Sequence, residues 1–409
     1  VWIEALIVIL AQGIIALALL TLNDRFMAQK LLHLSVGVST LILYNLLPPK
    51  IFIALTFLVM LLLILVPSRY FHKKLGVVAY PLSVLIVAFF FHDNSHVFTY
   101  SLYPMFFADP LGALVGRYFG RKKIACGKTL EGTLVVYLIN FLLFFMGGFS
   151  PVDSAFISLV LTLLEVSSPG GLDNLTVPLS AMAILGGWGY VELWIALPIS
   201  LVIALLIGIA RWLTLCASLA VASLGAIILY AGGLAWVLPL IAFVGVASAV
   251  GRLLGSDEKT RDVNQVFANG GVSAFLAVIY AIMHLDLLFY MHLSAVAAMM
   301  ADTLATEIGM KFSRQSYLIT NLHPVRKGIS GGVSGWGFLG ALVGALIISA
   351  FAGSEFVPVA VSGFMGSIID SYLGAIFERR GLWNNDVTNF LAAVSGAMLY
   401  LIISGGGSL

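Results

Sequence analysis

Between Arg211 and Arg252 the chain reads WLTLCASLAVASLGAIILYAGGLAWVLPLIAFVGVASAVG (residues 212–251), without one charged side chain. A helix needs roughly 20 residues to cross the hydrocarbon core of a bilayer, with about 17 a lower limit. This stretch therefore reads as two crossings, 213–231 and 234–251. The rest of the chain is of the same kind. Of its 409 residues 61% are hydrophobic and 10% are charged, and the mean hydropathy is +1.06. Soluble domains carry about 25% charged residues. The composition excludes a soluble globular enzyme, a disordered regulator and a nucleic-acid binder of the basic-patch type. A formal charge of +2 implies no polyanionic partner, and two cysteines, Cys126 and Cys216, are too few for a disulfide framework. What remains is an all-α, polytopic integral membrane protein.

Further apolar runs lie near 2–22, 31–47, 50–66, 77–91, 97–116, 129–149, 152–167, 175–188, 193–210, 264–284, 286–305, 330–352, 356–377 and 387–404, which makes about 16 candidate spans. Those at 77–91 and 175–188 are short enough to be re-entrant. The loop charges test the count. With the loop around Arg25 and Lys30 placed in the cytoplasm, 20 of the 21 lysines and arginines fall on that side and Lys50 alone falls on the other. The cytoplasmic set includes Arg69, Lys73 and Lys259. One missed span would reverse every later loop and destroy this positive-inside bias. Both termini are then expected outside. The first run has no basic n-region and contains Glu4, so it reads as a span and not a signal peptide. Val1 in place of Met reads as a trimmed start, and the tail from Gly405 to Leu409 is given no role.

Residues 1–190 and 191–409 each hold eight of these runs, which predicts two halves in parallel orientation. Ala108-Asp109-Pro110-Leu111-Gly112 lines up with Ala301-Asp302-Thr303-Leu304-Ala305, and Leu172-Asp173-Asn174 with Asn384-Asn385-Asp386. A carboxylate inside a span costs at least ~2.5–3.5 kcal/mol on insertion scales, so each needs a partner, a metal or water. Asp109 is read as a functional group of this kind, whereas Gly112, Gly116 and Gly120, at every fourth position, are read as tight helix packing. Arg117 to Lys123, including Arg121 and Lys122, is a basic cluster of the topology-anchoring type. Gly127-Lys128-Thr129-Leu130-Glu131-Gly132 is not a P-loop, yet it opens a helix with a lysine and a hydroxyl, which favours phosphate. Glu131 there either takes a metal or caps the helix. Glu165 and Asp173-Asn174 are expected at the same face. Asp109, Glu131, Glu165 and Asp173 beside a basic loop suit Mg²⁺ and a nucleoside triphosphate.

The second half presents Arg261, Asp262, Gln265, Asn269 and Gly270, then Asp302 and Glu307, which a regular helix sets about 140° apart. A loop with Lys311, Arg314, His323, Arg326 and Lys327 leads into Gly328, Ser330, Gly331 and Gly332. Asp370, Asn385, Asp386 and Asn389 complete the expected face, and Asp302, Glu307 and Asp370 are the metal candidates. The histidines His72, His92, His96, His284, His292 and His323 show no zinc spacing, and no nucleophile elbow stands out.

Lys30-x-x-His33-x-x-x-Gly37, Asp109-Pro110, Gly127-Lys128-Thr129-Leu130-Glu131-Gly132 and Glu165 with Asp173-Asn174-x-Thr176-x-Pro178 resemble the phytol kinase and dolichol kinase family over residues 25–180. Arg261-Asp262-x-x-Gln265, Asn269-Gly270, Asp302 with Glu307, Gly328-x-x-Gly331-Gly332, Asp370-Ser371 and Asn385-Asp386-x-x-Asn389 resemble the phytyl-phosphate kinases over 195–404. One departure is Gln29-Lys30, where the first family commonly has Arg-Lys. The resemblance implies a fusion of two consecutive kinases: 1–190 would convert a prenol to its monophosphate and 191–409 would convert that to the diphosphate. It further implies CTP as donor, Mg²⁺, a lipid substrate held in the bilayer, and no nucleic acid. The first acceptor must lose a proton, so a base is expected, Asp109 first and His33 second. The second acceptor is already anionic and calls for an extra cation, with Arg261, Lys311 and Lys327 as candidates. The membrane would be a prokaryotic plasma membrane or a thylakoid. Rival readings are a CDP-lipid synthase, which releases pyrophosphate, and a lipid transporter, which should carry polar residues along a path to the far side.

Overall fold

Each apolar run overlaps a helix in the computed structural model, which describes residues 1–66, 74–255 and 260–405. Arg69, His72, Lys73, Lys259 and the tail beyond Gly405 lie outside the described residues. The chain is an all-α polytopic membrane protein. Among the described residues eight helices are long and apolar enough to cross a membrane, and four shorter apolar helices accompany them. Large apolar side chains such as Leu6, Leu17, Leu62 and Leu65 stand exposed along these helices. A soluble protein rarely leaves so continuous an apolar surface bare. Two compact units divide the chain: Val1–Trp188 with Leu193–Pro198, and Gly189–Glu192 with Ile199–Leu409.

The first unit holds α1 (Trp2–Leu20), α2 (Arg25–Leu46), α3 (Pro49–Leu65), α4 (Lys74–Phe91), α5 (Ser95–Tyr103), α6 (Asp109–Tyr118), α7 (Leu130–Met146), α8 (Pro151–Ser167) and α9 (Asp173–Gly186). Helix α2 begins at Arg25, earlier than the apolar run, because Asp24 caps it by accepting from the N–H groups of Phe26 and Met27. Lys30 and His33 therefore stand on a helix face. α5 and α6 are joined by a π-turn, Pro104–Ala108. Pro110 has no N–H and its ring would press on the carbonyl four residues back, and the wider turn relieves that crowding. Phe98, Leu102, Phe106, Phe144, Leu161 and Met182 fill the core. Between α1 and α2, Gln12 donates to Ser35 (3.1 Å) and accepts from Ser39 (2.9 Å), a polar clasp in an otherwise apolar contact.

α10 (Leu193–Ile209) is followed by α11 (Leu215–Leu254), helical over 40 residues apart from Gly233. A straight helix of that length would run about 60 Å. Yet the Arg252 guanidinium lies 4.9 Å from the ring centre of Trp212, and Thr214 donates to the carbonyl of Arg261 at 3.0 Å. The two ends meet, so α11 is a hairpin folded at Gly233. That residue has φ 67° and ψ −164°, a region open only to glycine. The two crossings read from residues 212–251 are its two arms.

α12 (Val263–Met283), α13 (Asp286–Phe312), α14 (Gly335–Ser349), α15 (Phe356–Leu373) and α16 (Asn385–Gly405) complete the second unit. Alanine-rich α13 is gripped through glycines. A Cβ on Gly340 or Gly344 of α14 would come within 2.5 and 2.7 Å of the Leu304 and Met300 carbonyls. One on Gly363 of α15 would meet Ala297 at 2.4 Å, and one on Gly396 of α16 would meet the Ser294 carbonyl at 2.7 Å. Such close backbone approach is the membrane route to helix packing. The span expected from residue 330 starts only at Gly335. Before it, β1 (Ser316–Leu318), β2 (Pro324–Val325) and β3 (Gly332–Val333) form an antiparallel sheet in the order β2-β1-β3. The sequence reading did not foresee this sheet.

Candidate functional site

The first unit brings Lys30, Asp109, Lys128, Glu165 and Asp173 together, with Asp109 and Glu165 buried. Lys30, His33 and Gly37 fall three and four apart on α2, so they share a face. Gly37 makes the approach possible: a Cβ there would lie 2.7 Å from Phe106 in the π-turn. Lys30 Nζ consequently donates to both oxygens of Asp109, at 2.9 and 2.8 Å. His33 Nδ1 lies 3.5 Å from Asp109 Oδ2, and its Nε2 has no hydrogen-bond partner. On the other side Lys128 pairs with Glu165, near the end of α8. Oxygens of Asp109, Glu165 and Asp173 all lie within 4.8 Å of one another. Asp109 and Glu165 are 5% and 6% exposed, so these charges sit out of bulk water.

The motifs around the group divide into reach and architecture. Cys126 (φ 61°) and Gly127 (φ 74°) make a left-handed turn that throws Lys128 toward Glu165. Thr129 caps α7 by accepting from the Gly132 N–H at 3.3 Å. A Cβ on Gly132 would meet the Gly112 carbonyl at 2.7 Å and Gly116 at 2.9 Å, so these glycines pack α6 on α7, the reading favoured for the stripe. Glu131 is not brought to the carboxylate group. It accepts from the Lys122 N–H at 3.2 Å, because a residue in the first turn of α7 faces the preceding loop. Arg121 and Lys122 are exposed. Asn174 donates to the Gly76 carbonyl at 2.9 Å, which ties α9 to α4, while its neighbour Asp173 joins the carboxylates.

Sequence reasoning missed Asn140. It is the lone amide in apolar α7, 1% exposed, and it lines a cavity with Asp109, Glu165, Asp173 and Asn174. The cavity volume is about 10 Å³, room for one water-sized or ion-sized guest and not for a nucleotide. Three hard oxygen donors at this spacing fit a divalent ion of the Mg²⁺ class. Missed too was a buried stripe on α8. Ser154, Ser158 and Thr162 stand four apart and lead to Glu165, and their hydroxyls have no hydrogen-bond partner. Polar groups in this unit are therefore not confined to one end.

In the second unit Asp302 of α13 and Asp370 of α15 are close enough to interact, and Asp370 Oδ1 is buried without a hydrogen-bond partner. Two carboxyls that close call for a cation or a shared proton between them. Beside them stands Glu378, which the sequence reading passed over. It ends the π-turn Gly374–Glu378 and accepts from Ser330 (2.6 Å) and Thr388 (3.0 Å). Gly331, at φ 79°, lets the glycine-rich loop close on that turn, since a Cβ there would lie 2.4 Å from Ala375 Cβ. None of the ion pairs among the described residues involves Asp302, Asp370 or Glu378. α13 is regular through Phe312, so Asp302 and Glu307 stay on different faces and one ion cannot take both.

The expected cations go elsewhere. Lys311 donates to the Leu254 carbonyl (2.8 Å) and Lys327 to that of Met310 (3.2 Å), and Arg261 lies 5.5 Å from the Phe243 ring centre. Asp262 and Gln265 form a reciprocal capping box at the start of α12, which occupies both side chains. Gly328 (φ 78°) turns the loop between β2 and β3, and Gly332 lies in β3 itself. Asn269 sits half-buried on α12, and on the first turns of α16 Asn385 is exposed while Asp386 and Asn389 are half-buried. A groove of about 370 Å³ lined by Ser313, Arg314, Gln315, Ser334, Trp336 and Leu339 opens at the start of α14.

Residues 198–397 match the family described as integral membrane protein DUF92. An uncharacterized membrane protein of Methanocaldococcus jannaschii is 28% identical over 226 residues, 52% of this chain and 94% of its own length. An uncharacterized membrane protein of Synechocystis sp. is 28% identical over 210 residues, 46% of this chain and 80% of its own. Protein PGR of Arabidopsis thaliana is 36% identical over 98 residues, 20% of this chain and 34% of its own. No solved structure matches. The chain is an integral membrane protein, and residues 198–397 of it are similar to the DUF92 family.

Proposed function

We propose that the protein is a two-site membrane phosphotransferase, with CTP and Mg²⁺, acting on a prenol in the first unit and on the prenyl monophosphate in the second. The observation that carries the reading is the buried convergence of Lys30, Lys128, Asp109, Glu165 and Asp173. Counted as ammonium and carboxylate groups, the set has one negative charge in excess. One divalent ion turns that to one positive charge, so the ion must precede or accompany a triphosphate. With an ion held by Asp109, Glu165 and Asp173, the Lys30 and Lys128 ammonium groups would be free to take phosphate oxygens.

The prenol hydroxyl gives its proton to a base as its oxygen attacks the terminal phosphorus, and the bond to the departing CDP breaks. Lys30 already occupies both oxygens of Asp109, whereas His33 Nε2 is without a partner. His33 is therefore the base and Asp109 orients it, an assignment that reverses the sequence order of preference. In the second unit Asp302 and Asp370 would hold the ion, and the acceptor phosphate needs no base. The motif face is cytoplasmic, and the lipid tail stays between helices.

A second reading has one specific observation behind it. The stripe Ser154, Ser158, Thr162 along α8 is the polar path that a transporter would have. The deciding experiment supplies CTP, Mg²⁺ and phytol or phytyl phosphate to the full chain in nanodiscs and follows lipids and nucleotides by mass spectrometry. Phytyl diphosphate plus CDP is expected. Asp109→Asn should stop at the alcohol and Asp302→Asn at the monophosphate, each slowing its step at least ~100-fold. Pyrophosphate release would replace the reading with a cytidylyltransferase, and absence of turnover with every nucleotide and prenol tried would replace it with transport.

A further inference from the structure

We infer that Asn140 is a ligand of the ion in the first unit, a neutral fourth oxygen beside Asp109, Glu165 and Asp173. The inference rests on the carboxylate site of the proposed phosphotransferase but not on its substrates. Asn140 lies in the middle of α7, flanked by Leu138, Ile139, Phe141 and Leu142. A buried amide in a membrane helix normally pairs across to another helix. Here the side chain is 1% exposed, and Oδ1 has no hydrogen-bond partner. Leaving such an acceptor unmade costs about 1–3 kcal/mol. A leucine, like its neighbours, would avoid that cost. The amide instead borders the same small cavity as the three carboxylates.

Size and donor type agree. The cavity takes one ion-sized guest. Mg²⁺ holds oxygens at about 2.1 Å, which sets opposite ligands about 4.2 Å apart. The carboxylate oxygens, within 4.8 Å of one another, are close enough to draw in on one such ion. An amide carbonyl adds a hard donor without a further negative charge. A fourth carboxylate would leave the loaded site neutral and weaken its hold on a triphosphate. Asn140 thus supplies coordination while the site keeps its positive charge.

The test measures Mn²⁺ binding by electron paramagnetic resonance. It uses the full chain in nanodiscs, with Asp302→Asn and Asp370→Asn present to silence the second carboxylate pair, and no nucleotide or lipid substrate. Asn140→Leu should weaken Mn²⁺ by about 10-fold or more, and Asn140→Asp, which keeps an oxygen in place, should restore binding. If Asn140→Leu does not fold, Asn140→Ser provides the same comparison with Asn140→Asp. Folded protein whose Mn²⁺ affinity depends on Asp109, Glu165 and Asp173 but is unmoved at position 140 would overturn the inference. Asn140-dependent Mn²⁺ binding without phosphoryl transfer would overturn the proposed function and leave this site standing.

Discussion

Lys128 reaches from the loop before α7 to Glu165, and its ammonium is governed by two opposed effects. Burial pulls its pKa down, but the carboxylates of Glu165, Asp173 and Asp109 outweigh burial and hold it above the ordinary lysine value. Lys128→Met leaves Glu165 uncompensated. The lysine side chain is 35% exposed, so the stability loss should fall below the ~3–5 kcal/mol of a fully buried broken pair, read as a lower Tm in detergent. Lys128→Arg should keep most stability yet lose transfer, since a planar guanidinium does not replace a point charge. Asp24 sits at the surface. Its hydrogen bond from Tyr118, with those from the Met27 and Phe26 N–H groups, holds its pKa below 3.8. A depressed carboxylate contributes stability above its unfolded value and loses it as pH falls through the folded one. The Tm gap between the wild type and Asp24→Asn should therefore be full at pH 6 and close as pH falls below about 4.

The sequence disclosed some residues of the site and hid others for physical reasons. Lys30, His33 and Gly37 were legible through the family resemblance of their motif, and Asp109 because a carboxylate in an apolar run demands a partner. Glu131 carried two meanings, ligand and cap, and only the fold of the preceding loop separates them. Asn140 gave one faint signal, a single amide in a long apolar run. Glu378 was masked by Arg379 and Arg380, which make it look like part of a surface charge cluster.

Among the elements, the helices follow from length and apolarity, and the small sheet does not. Its strands are two or three residues long, too short for alternation to register. What fixes that region is the contact of Gly331 with the π-turn after α15. Gly331→Ala should slow the second phosphorylation while sparing the first, measured with phytyl phosphate and phytol in parallel. At the α6–α7 crossing, Gly132→Val should lower stability by ~1–3 kcal/mol through overpacking, seen as a drop in Tm. At Gly233 space is not the limit, because an added Cβ would stand 3.6 Å from Tyr190 Cβ. The backbone region itself should cost Gly233→Ala about 1–3 kcal/mol in thermal unfolding.

For the whole molecule the charge bias predicts sidedness. Single cysteines placed at Asn94, Asp153 and Asp286 should react with an impermeant maleimide in intact cells, whereas ones at Lys122, Arg314 and Arg380 should react only after permeabilisation. The reverse pattern would invert the topology. The hairpin of α11 bears on how this topology comes about. With no charge between Arg211 and Arg252 and a one-residue turn, there is no hydrophilic loop to translocate. Both arms must leave the insertion machinery as a pair. The nascent chain thus commits the orientation of α12 to α16 at Gly233, before any of those five helices has been made.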